Sequence, residues 1–130
     1  EYQTNSLCKY LIALHLILVV KYRKQLLLGC IGEFVKKSIL VISGQSDFEV
    51  EEIEVDKDHI HILLKISPRF SLGQHVRRIK QQTTRLLWTE FTFLKKQFWL
   101  ENTFWSDGYF VCSVGNASAE VLQKYIQEQG

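Results

Sequence analysis

The sequence predicts an α+β sandwich of the ferredoxin-like kind, with an additional helix at the C-terminal end. The 130 residues are enough for a single domain, residues 1–130, around one hydrophobic core. Apolar residues recur at intervals of two in some segments and of three to four in others, typical of strands and helices. These segments follow the order strand, helix, strand, strand, helix, strand, helix. This order is a split βαβ arrangement followed by one more helix.

The first strand and the first helix are predicted from the apolar residues of the first third of the chain. Residues 7–20 are apolar on both faces, which is typical of a central strand covered from both sides. Its apolar part, residues 11–20, is shorter than the roughly 20 residues that cross a bilayer, and His15 interrupts it, so we expect a buried strand and no membrane segment. Apolar residues at helical intervals then predict a helix over residues 25–43, ending before Gly44.

Two further strands follow, and their alternation predicts a β-hairpin. The first covers residues 48–55 and slips in phase near Glu51 and Glu52, which indicates a β-bulge. The second covers residues 59–66 and alternates without a slip. The turn between them falls at residues 57–58.

A long helix, an aromatic-rich region and a short helix make up the second half of the chain. Ser71 is the predicted N-cap of the long helix. The apolar residues after it form an inner stripe at helical spacing: Leu72, Val76, Ile79, Thr83, Leu86 and Leu87. Residues 91–114 are predicted as loop and strand, and Ser118 as the cap of a helix that runs to about Gln129 and stops at Gly130.

The charged residues are unevenly distributed, although the formal net charge is only +2. Residues 47–58 hold seven of the 14 acidic residues, whereas residues 59–89 contain basic residues and no acidic one. A localised polyanion-binding face requires such asymmetry, but an ordinary solvated surface can have the same pattern. The composition, 46% hydrophobic and 12% aromatic, excludes disordered and fibrous classes.

The cysteine pattern favours reduced thiols. Cys8, Cys30 and Cys112 are an odd number without CxxC spacing, which argues against both a disulfide framework and a zinc site. We therefore expect a cytoplasmic protein. No signal peptide is visible, and because the chain begins at Glu1 and contains no Met, we expect its natural N-terminus to be missing.

Two histidines separated by one residue are the first candidates for chemistry. In a strand, His59 and His61 project from the same face, whereas Ile60 between them projects from the other. Two imidazoles at this spacing can chelate one metal ion. They can equally be two polar residues on a half-exposed face, and the pair alone does not decide.

The final helix offers a tyrosine and a glutamine on one face. Tyr125 and Gln129 are four residues apart, so they lie one above the other on a helix. A phenol is a weak nucleophile near neutral pH because its pKa is about 10, and it needs help from a metal and an oriented approach. The aromatic residues 104–111 can stack on bases or belong to the core, and the composition does not distinguish these roles.

In combination, these residues resemble a known family. His59-Ile60-His61, then the segment 105–110 reading WSDGYF, then the segment 124–129 reading KYIQEQ, occur in the order and spacing of single-tyrosine HUH transposases. This family, of the TnpA type, is found in bacterial and archaeal insertion sequences and includes REP-associated relatives. His15 followed by Lys21-Tyr22-Arg23 is similar to the family's first strand and its exit. The resemblance covers about residues 10 to 130.

The resemblance implies an RRM-like sandwich whose last helix carries the nucleophile. By this resemblance Tyr125 is the nucleophile, and His59, His61 and Gln129 bind a divalent metal, Mg²⁺ or Mn²⁺. The implied substrate is single-stranded DNA with hairpins near the element's ends, cleaved to a 5′-phosphotyrosine and a free 3′-OH. The implied assembly is a homodimer in which the tyrosine helix of one subunit completes the other's histidine site.

Basic residues are the expected contacts to the DNA backbone. The long helix presents Arg77, Arg78, Lys80 and Arg85 largely off its apolar stripe, and Lys21 and Arg23 leave the first strand. Since two imidazoles and an amide carry no charge, we also expect the metal to bind more tightly once a DNA phosphate joins the site.

Two other interpretations remain open at this point. A non-catalytic or domesticated hairpin-binding module on the same fold needs the basic helix, but it does not need Tyr125 and Gln129 one turn apart. An unrelated metal-dependent hydrolase, or a plain metal-binding domain, needs carboxylates near the histidines, and Glu54, Asp56 and Asp58 are candidates.

Overall fold

Residues 11–98, 101–114 and 119–128 are described by a computed structural model. Within these ranges, four strands form one sheet: β1 (Ile12–Val19), β2 (Phe48–Val55), β3 (His59–Ile66) and β4 (Phe110–Ser113). The described part of the chain also has three α-helices: α1 (Gly29–Gly44), α2 (Leu72–Glu90) and α3 (Ala119–Glu128). Two 3-10 segments, Lys21–Arg23 and Thr92–Phe98, follow β1 and α2. None of the described helices is long and apolar enough to cross a membrane.

The sheet confirms the predicted topology. Its strand order is β2-β3-β1-β4, and β1 pairs antiparallel with both β3 and β4. This order, with helices after β1 and β3, is the ferredoxin-like split βαβ arrangement. β1 therefore occupies the centre of the sheet, as its apolar sequence predicts.

The bulge in the hairpin is also confirmed. The pairing of β2 with β3 shifts register between Val50 and Glu52. Because of that extra residue, Val50 and Ile53 both face the core while Glu52 and Glu54 face the opposite side. The β3 residues paired with the two glutamates are Leu63 and His61, so an acidic row borders the histidine face of β3.

The hydrophobic core lies between one face of the sheet and helices α1 and α2. β1 contributes Leu16 and Leu18, and β3 contributes Ile60, Ile62 and Leu64, all fully buried. From α2, the predicted stripe residues Val76, Ile79, Thr83 and Leu87 are buried, whereas Leu86 is exposed, contrary to prediction. Ser71 caps α2 as predicted, since its Oγ accepts a hydrogen bond from the main-chain N–H of Gln74.

One predicted element boundary is wrong, and others lie outside the described residues. The first helix begins at Gly29 rather than at Gln25, because residues 24–28 are not helical and Leu27 donates its N–H to the carbonyl of Lys57. A long-range hydrogen bond thus replaces the first turn of that helix. The predictions that concern residues 7–10, Ser118 and Gly130 fall outside the described residues.

The aromatic segment after α2 belongs largely to the core. Phe104 and Trp105 are buried, and the Trp105 Nε1–H donates to the Thr83 hydroxyl oxygen at 2.9 Å. Trp105 also forms an isolated bridge with Val20 at the end of β1. These two rings are thus unavailable for stacking on bases.

One buried histidine gives the fold a pH-dependent element. His75 on α2 packs against Phe48, with ring centroids 5.0 Å apart, and its Nε2 has no hydrogen-bond partner among the described residues. Burial lowers the pKa of His75; Asp47 opposes this shift and Arg78 adds to it. The neutral imidazole is therefore the form that the folded state favours.

We predict that His75 makes the protein less stable in mild acid. Below the unfolded-state pKa of about 6.5, the unfolded chain takes up a proton at this imidazole that the folded chain does not. The free energy of unfolding therefore falls from that pH down to the lowered folded-state pKa, and no further below it. Urea unfolding at about pH 7.5 and about pH 5.5 measures the loss. The wild type should lose more than His75→Leu; equal losses contradict the prediction.

Candidate metal and tyrosine site

The histidines lie on the sheet face opposite the core, above a cavity of about 430 Å³. Strand alternation brings them there, since Ile60 and Ile62 turn into the core while His59 and His61 turn away. Helix α3 lies over the same face and forms part of the cavity wall. The described lining from the sheet includes His59, His61, Glu54 and Asp56, and that from α3 includes Gln123 and Ile126.

His59 is held by the carboxylate that precedes it in sequence. Its Nδ1 lies 2.8 Å from Oδ1 of Asp58, whose side chain is 7% exposed. A carboxylate accepts but does not donate, so Nδ1 carries the proton and donates it to Asp58. With the proton on Nδ1 alone, the Nε2 atom has a lone pair for a metal or another donor.

His61 is paired with a histidine from the neighbouring strand. Its Nε2 lies 2.7 Å from Nδ1 of His15 on β1, and its Nδ1 lies 3.9 Å from Oε1 of Glu54. Burial lowers the pKa of His61, and the nearby His15 adds to this shift while Glu54 opposes it. The imidazole is thereby kept neutral, which is the form that binds metals.

The donor set fits a weakly held divalent ion. Among the described residues, no three or more His, Cys, Asp or Glu side chains are arranged as a metal site. The two neutral imidazoles over one cavity are consistent with a partial site that a further ligand completes. The predicted third ligand, Gln129, lies outside the described residues. Of the carboxylates that the hydrolase interpretation requires, Asp58 is already bonded to His59. Glu54 and Asp56 do line the cavity, but within the described residues they do not form a metal-binding group with the histidines.

Tyr125 lies on α3 but on the side nearer β4. Its ring packs against Phe110, with centroids 5.1 Å apart, in a small cluster with Ile17, Val19 and Ile126. Burial raises the pKa of Tyr125, so the phenol stays protonated near neutral pH. Within one chain, α3 thus turns Gln123 and Ile126 toward the histidine cavity, whereas Tyr125 contacts the β1–β4 side.

The six predicted DNA-binding residues have different surroundings. Arg77 and Arg85 are exposed on α2, and Arg78 donates to the main-chain oxygen of Gln45 at 3.3 Å. Lys80 donates to the main-chain oxygens of Ser106 and Gly108 at 2.9 and 2.6 Å, and burial lowers its pKa. Its ammonium group therefore holds a loop. The roles of all six residues in DNA binding stay predictions.

The two basic residues after β1 are both paired with acids. Lys21 lies 3.4 Å from Glu101, and the Nε of Arg23 lies 3.5 Å from Oδ2 of Asp58. The same Arg23 guanidinium donates through Nη1 to the main-chain oxygen of Gln127 on α3, at 3.3 Å. The sequence pattern predicts neither the contact of Asp58 with His59 nor that of His15 with His61. The one available indication is that Asp58 directly precedes His59 in sequence.

Comparison with known proteins assigns the family. The family model described as "Transposase IS200 like" matches residues 8–129, almost the whole chain. The chain belongs to the IS200-like transposase family. Its members act on DNA in the transposition of insertion sequences, so the predicted family and the enzyme class are confirmed.

Individual IS200-like relatives agree with this assignment. The ISDra2 transposase TnpA of Deinococcus radiodurans is 32% identical over 120 residues, which cover 92% of this chain and 85% of the relative. The transposase for insertion sequence element IS200 of Salmonella typhimurium is 31% identical over 126 residues, covering 94% of this chain and 76% of the relative.

Solved structures agree as well. A crystal structure of a Deinococcus radiodurans R1 protein described as a transposase superposes with a TM-score of 0.85, at 29% identity and 92% coverage of both chains. A REP-associated tyrosine transposase bound to a REP hairpin has a TM-score of 0.56 at 15% identity, covering 97% of this chain and 67% of that one. The latter similarity concerns the fold alone.

Proposed function

We propose that this IS200-like transposase cleaves and rejoins single-stranded DNA through a covalent bond to Tyr125, with a divalent metal held by His59, His61 and Gln129. The observation that carries the proposal is the pair of imidazoles on one strand face, over a cavity closed by the helix that bears the tyrosine. An oriented phenol beside a two-histidine metal site is suited to phosphoryl transfer.

The transfer conserves one phosphodiester bond at each step. The Tyr125 oxygen bonds to the scissile phosphorus while the bond from phosphorus to the 3′ oxygen breaks. The phenol loses its proton and the departing 3′ oxygen gains one, which leaves a 5′-phosphotyrosine and a free 3′-OH. Attack by a 3′-OH on the phosphotyrosine then reverses the bond changes and releases the phenol, so rejoining needs no external energy source.

The side chains around the cavity contribute by holding their partners in place. Asp58 fixes the ring of His59, and burial keeps His61 neutral. Nε2 of His61, which lies 2.7 Å from Nδ1 of His15, would have to exchange that contact for the metal if it is the ligand atom. When bound, the metal, Mg²⁺ or Mn²⁺, supplies positive charge that offsets negative charge developing at the phosphate. The raised pKa of Tyr125 means that its proton is lost only in the assembled complex.

We further propose that two copies of the chain form the working enzyme. Within one chain, Tyr125 packs against Phe110 while other residues of α3 face the histidine cavity. The helix must therefore move before Tyr125 can reach a histidine site. A homodimer in which each α3 completes the partner's histidine site provides that new position.

The implied substrates are hairpins of single-stranded DNA at element ends. The hairpin-bound transposase of the same fold supports this choice.

The expected product is a covalent protein–DNA adduct. Single-stranded oligonucleotides from the ends of the element that encodes the chain are labelled at the 3′ end and incubated with Mg²⁺ or Mn²⁺. On a denaturing gel, the label should migrate with the protein, and a 5′-labelled copy should yield a shorter free strand. Chelation of the metal should abolish both products.

Two outcomes contradict the proposed function. A protein that binds the oligonucleotides without any adduct is a hairpin-binding module, not a nuclease. An adduct that carries the 5′ label instead of the 3′ label contains a 3′-phosphotyrosine, which contradicts the proposed 5′-phosphotyrosine.

A further inference from the structure

The connection that follows β1 has an unusual backbone. Tyr22 and Arg23 both have positive φ angles, 62° and 51°, in the left-handed region that side chains other than glycine rarely adopt. Two such residues in succession are costly, and they persist only where the surrounding structure determines them. The Arg23 N–H donates to the carbonyl of Val20, whose own N–H donates to the carbonyl of Asp58. This turn is therefore tied directly to the segment before the histidines.

Both oxygens of the Asp58 carboxylate are in use. Oδ1 accepts from Nδ1 of His59 at 2.8 Å, and Oδ2 lies 3.5 Å from Nε of Arg23. The Asp58 side chain is almost completely buried, whereas that of Arg23 is 40% exposed. Water therefore screens the contact of Asp58 with His59 less than its contact with Arg23. A planar guanidinium on one oxygen and an imidazole on the other leave the carboxylate a single orientation.

Arg23 also contacts the helix that bears the tyrosine. Its Nη1 donates to the main-chain oxygen of Gln127, two residues after Tyr125, at 3.3 Å. Carbonyl groups in the last turn of a helix have no partner within the helix, and a cation there is favourable. One guanidinium thus joins the last turn of α3 to the carboxylate that holds His59.

We propose that Arg23 and Asp58 are positioning residues that keep His59 protonated on Nδ1, with Nε2 free for a ligand. In the arrangement in which α3 lies on its own chain, before the repositioning that chemistry requires, they also dock the last turn of that helix beside His59. The role of His59 as a metal ligand rests on the proposed function, but its tautomer does not. Arg23, expected from sequence to contact DNA phosphate, thus has a structural role in the site as well. Outer partners of metal-binding histidines act in this way because they fix both the ring orientation and the tautomer.

The substitution Asp58→Asn gives a sharp test. Asparagine has one oxygen that accepts and one NH₂ group that donates. Because the Arg23 guanidinium can only donate, the asparagine should orient its amide oxygen toward Arg23. Its NH₂ group then faces Nδ1 of His59. Nδ1 must then accept, so the proton moves to Nε2 and the lone pair available to a metal is lost.

The tautomer is read without metal or DNA by NMR of ¹⁵N-labelled histidine side chains. The spectrum is taken at about pH 8, well above the ordinary imidazole pKa of about 6.5. The wild type should show His59 protonated on Nδ1 and Asp58→Asn should show it protonated on Nε2. The double variant Asp58→Asn/Arg23→Ala should recover some of the Nδ1-protonated form. Without Arg23, the asparagine amide can rotate by 180° and present its oxygen to Nδ1 of His59. Asp56→Asn, which removes a neighbouring charge at the same cavity, is the matched control and should leave the tautomer unchanged.

A second measurement addresses the helix. Arg23→Ala should speed amide hydrogen exchange in residues 123–128 several-fold relative to the wild type, while exchange in β1 and β3 stays the same. The proposal is overturned if Asp58→Asn leaves His59 in the wild-type tautomer, or if Arg23→Ala leaves exchange in α3 unchanged.

Metal titration separates this proposal from the proposed function. If the tautomer changes and Mn²⁺ affinity falls about 10- to 100-fold, both stand. If the tautomer changes while Mn²⁺ affinity does not, the positioning role stands and His59 is not the ligand that the proposed function requires.

Discussion

A Tyr125→Phe protein is expected to form no covalent adduct with single-stranded DNA, a loss of at least about 10³-fold in cleavage rate. The substitution removes one oxygen and leaves the ring that packs against Phe110, so the fold and the position of α3 should be retained. Without the phenolic oxygen, no bond to phosphorus can form. Gel analysis with 3′-labelled oligonucleotide measures this loss, and the thermal unfolding midpoint verifies that the variant is folded.

The chain offers a matched control for this variant. Tyr109 is also partly exposed, but it lines a different cavity, beside α2 and close to Gly108. Tyr109→Phe should therefore form the adduct at nearly the wild-type rate. An adduct that persists in Tyr125→Phe, or that disappears in Tyr109→Phe alone, assigns the nucleophile elsewhere.

The second large effect concerns the metal. Calorimetric titration with Mn²⁺ should show weak binding to the protein alone and much tighter binding in the presence of single-stranded oligonucleotide. Two neutral imidazoles contribute no charge, and a DNA phosphate contributes an oxygen ligand with a negative charge. His61→Ala should weaken metal binding in the complex by at least about 10-fold, since even outer partners of metal ligands have effects of that size.

Another histidine serves as the control for metal binding. His75→Leu removes an imidazole of α2 that is buried against Phe48. This imidazole lies on the core side of the sheet, opposite the face that carries His59 and His61. This variant should bind Mn²⁺ as the wild type does. The metal assignment fails if His61→Ala binds as tightly as His75→Leu, and the role of the phosphate fails if oligonucleotide leaves the affinity unchanged.

The elements that local pattern controls were predicted well from sequence. Alternation along β3 placed His59 and His61 on one face, because a strand's side chains have a period of two whatever their surroundings. The slip in phase near Glu51 predicted the bulge, and Ser71 was recognised as a cap from its own chemistry. Each of these features depends on neighbours within a few residues.

Features decided by distant contacts were not predictable in the same way. The start of α1 is delayed because Leu27 bonds to Lys57, 30 positions further along the chain. The ammonium of Lys80 is bound by carbonyls of residues 106 and 108, a contact that its place on the outer side of a basic helix does not indicate. The pairing of Arg23 with Asp58 occurs in a turn where Arg23 has a left-handed backbone, and no glycine in the sequence indicates that turn.

The small apolar cluster beneath α3 has a thermodynamic consequence. Ile17, Val19 and Ile126, with Phe110 and Tyr125 against them, form a cluster separate from the main core. Among the described residues, lifting the helix exposes this small cluster, whereas unfolding the sheet exposes the main core. We therefore expect the opening of this last element to require less free energy than global denaturation. Tyr125, the proposed nucleophile, lies on an element that can open by itself, and the two histidines lie on a strand of the main sheet.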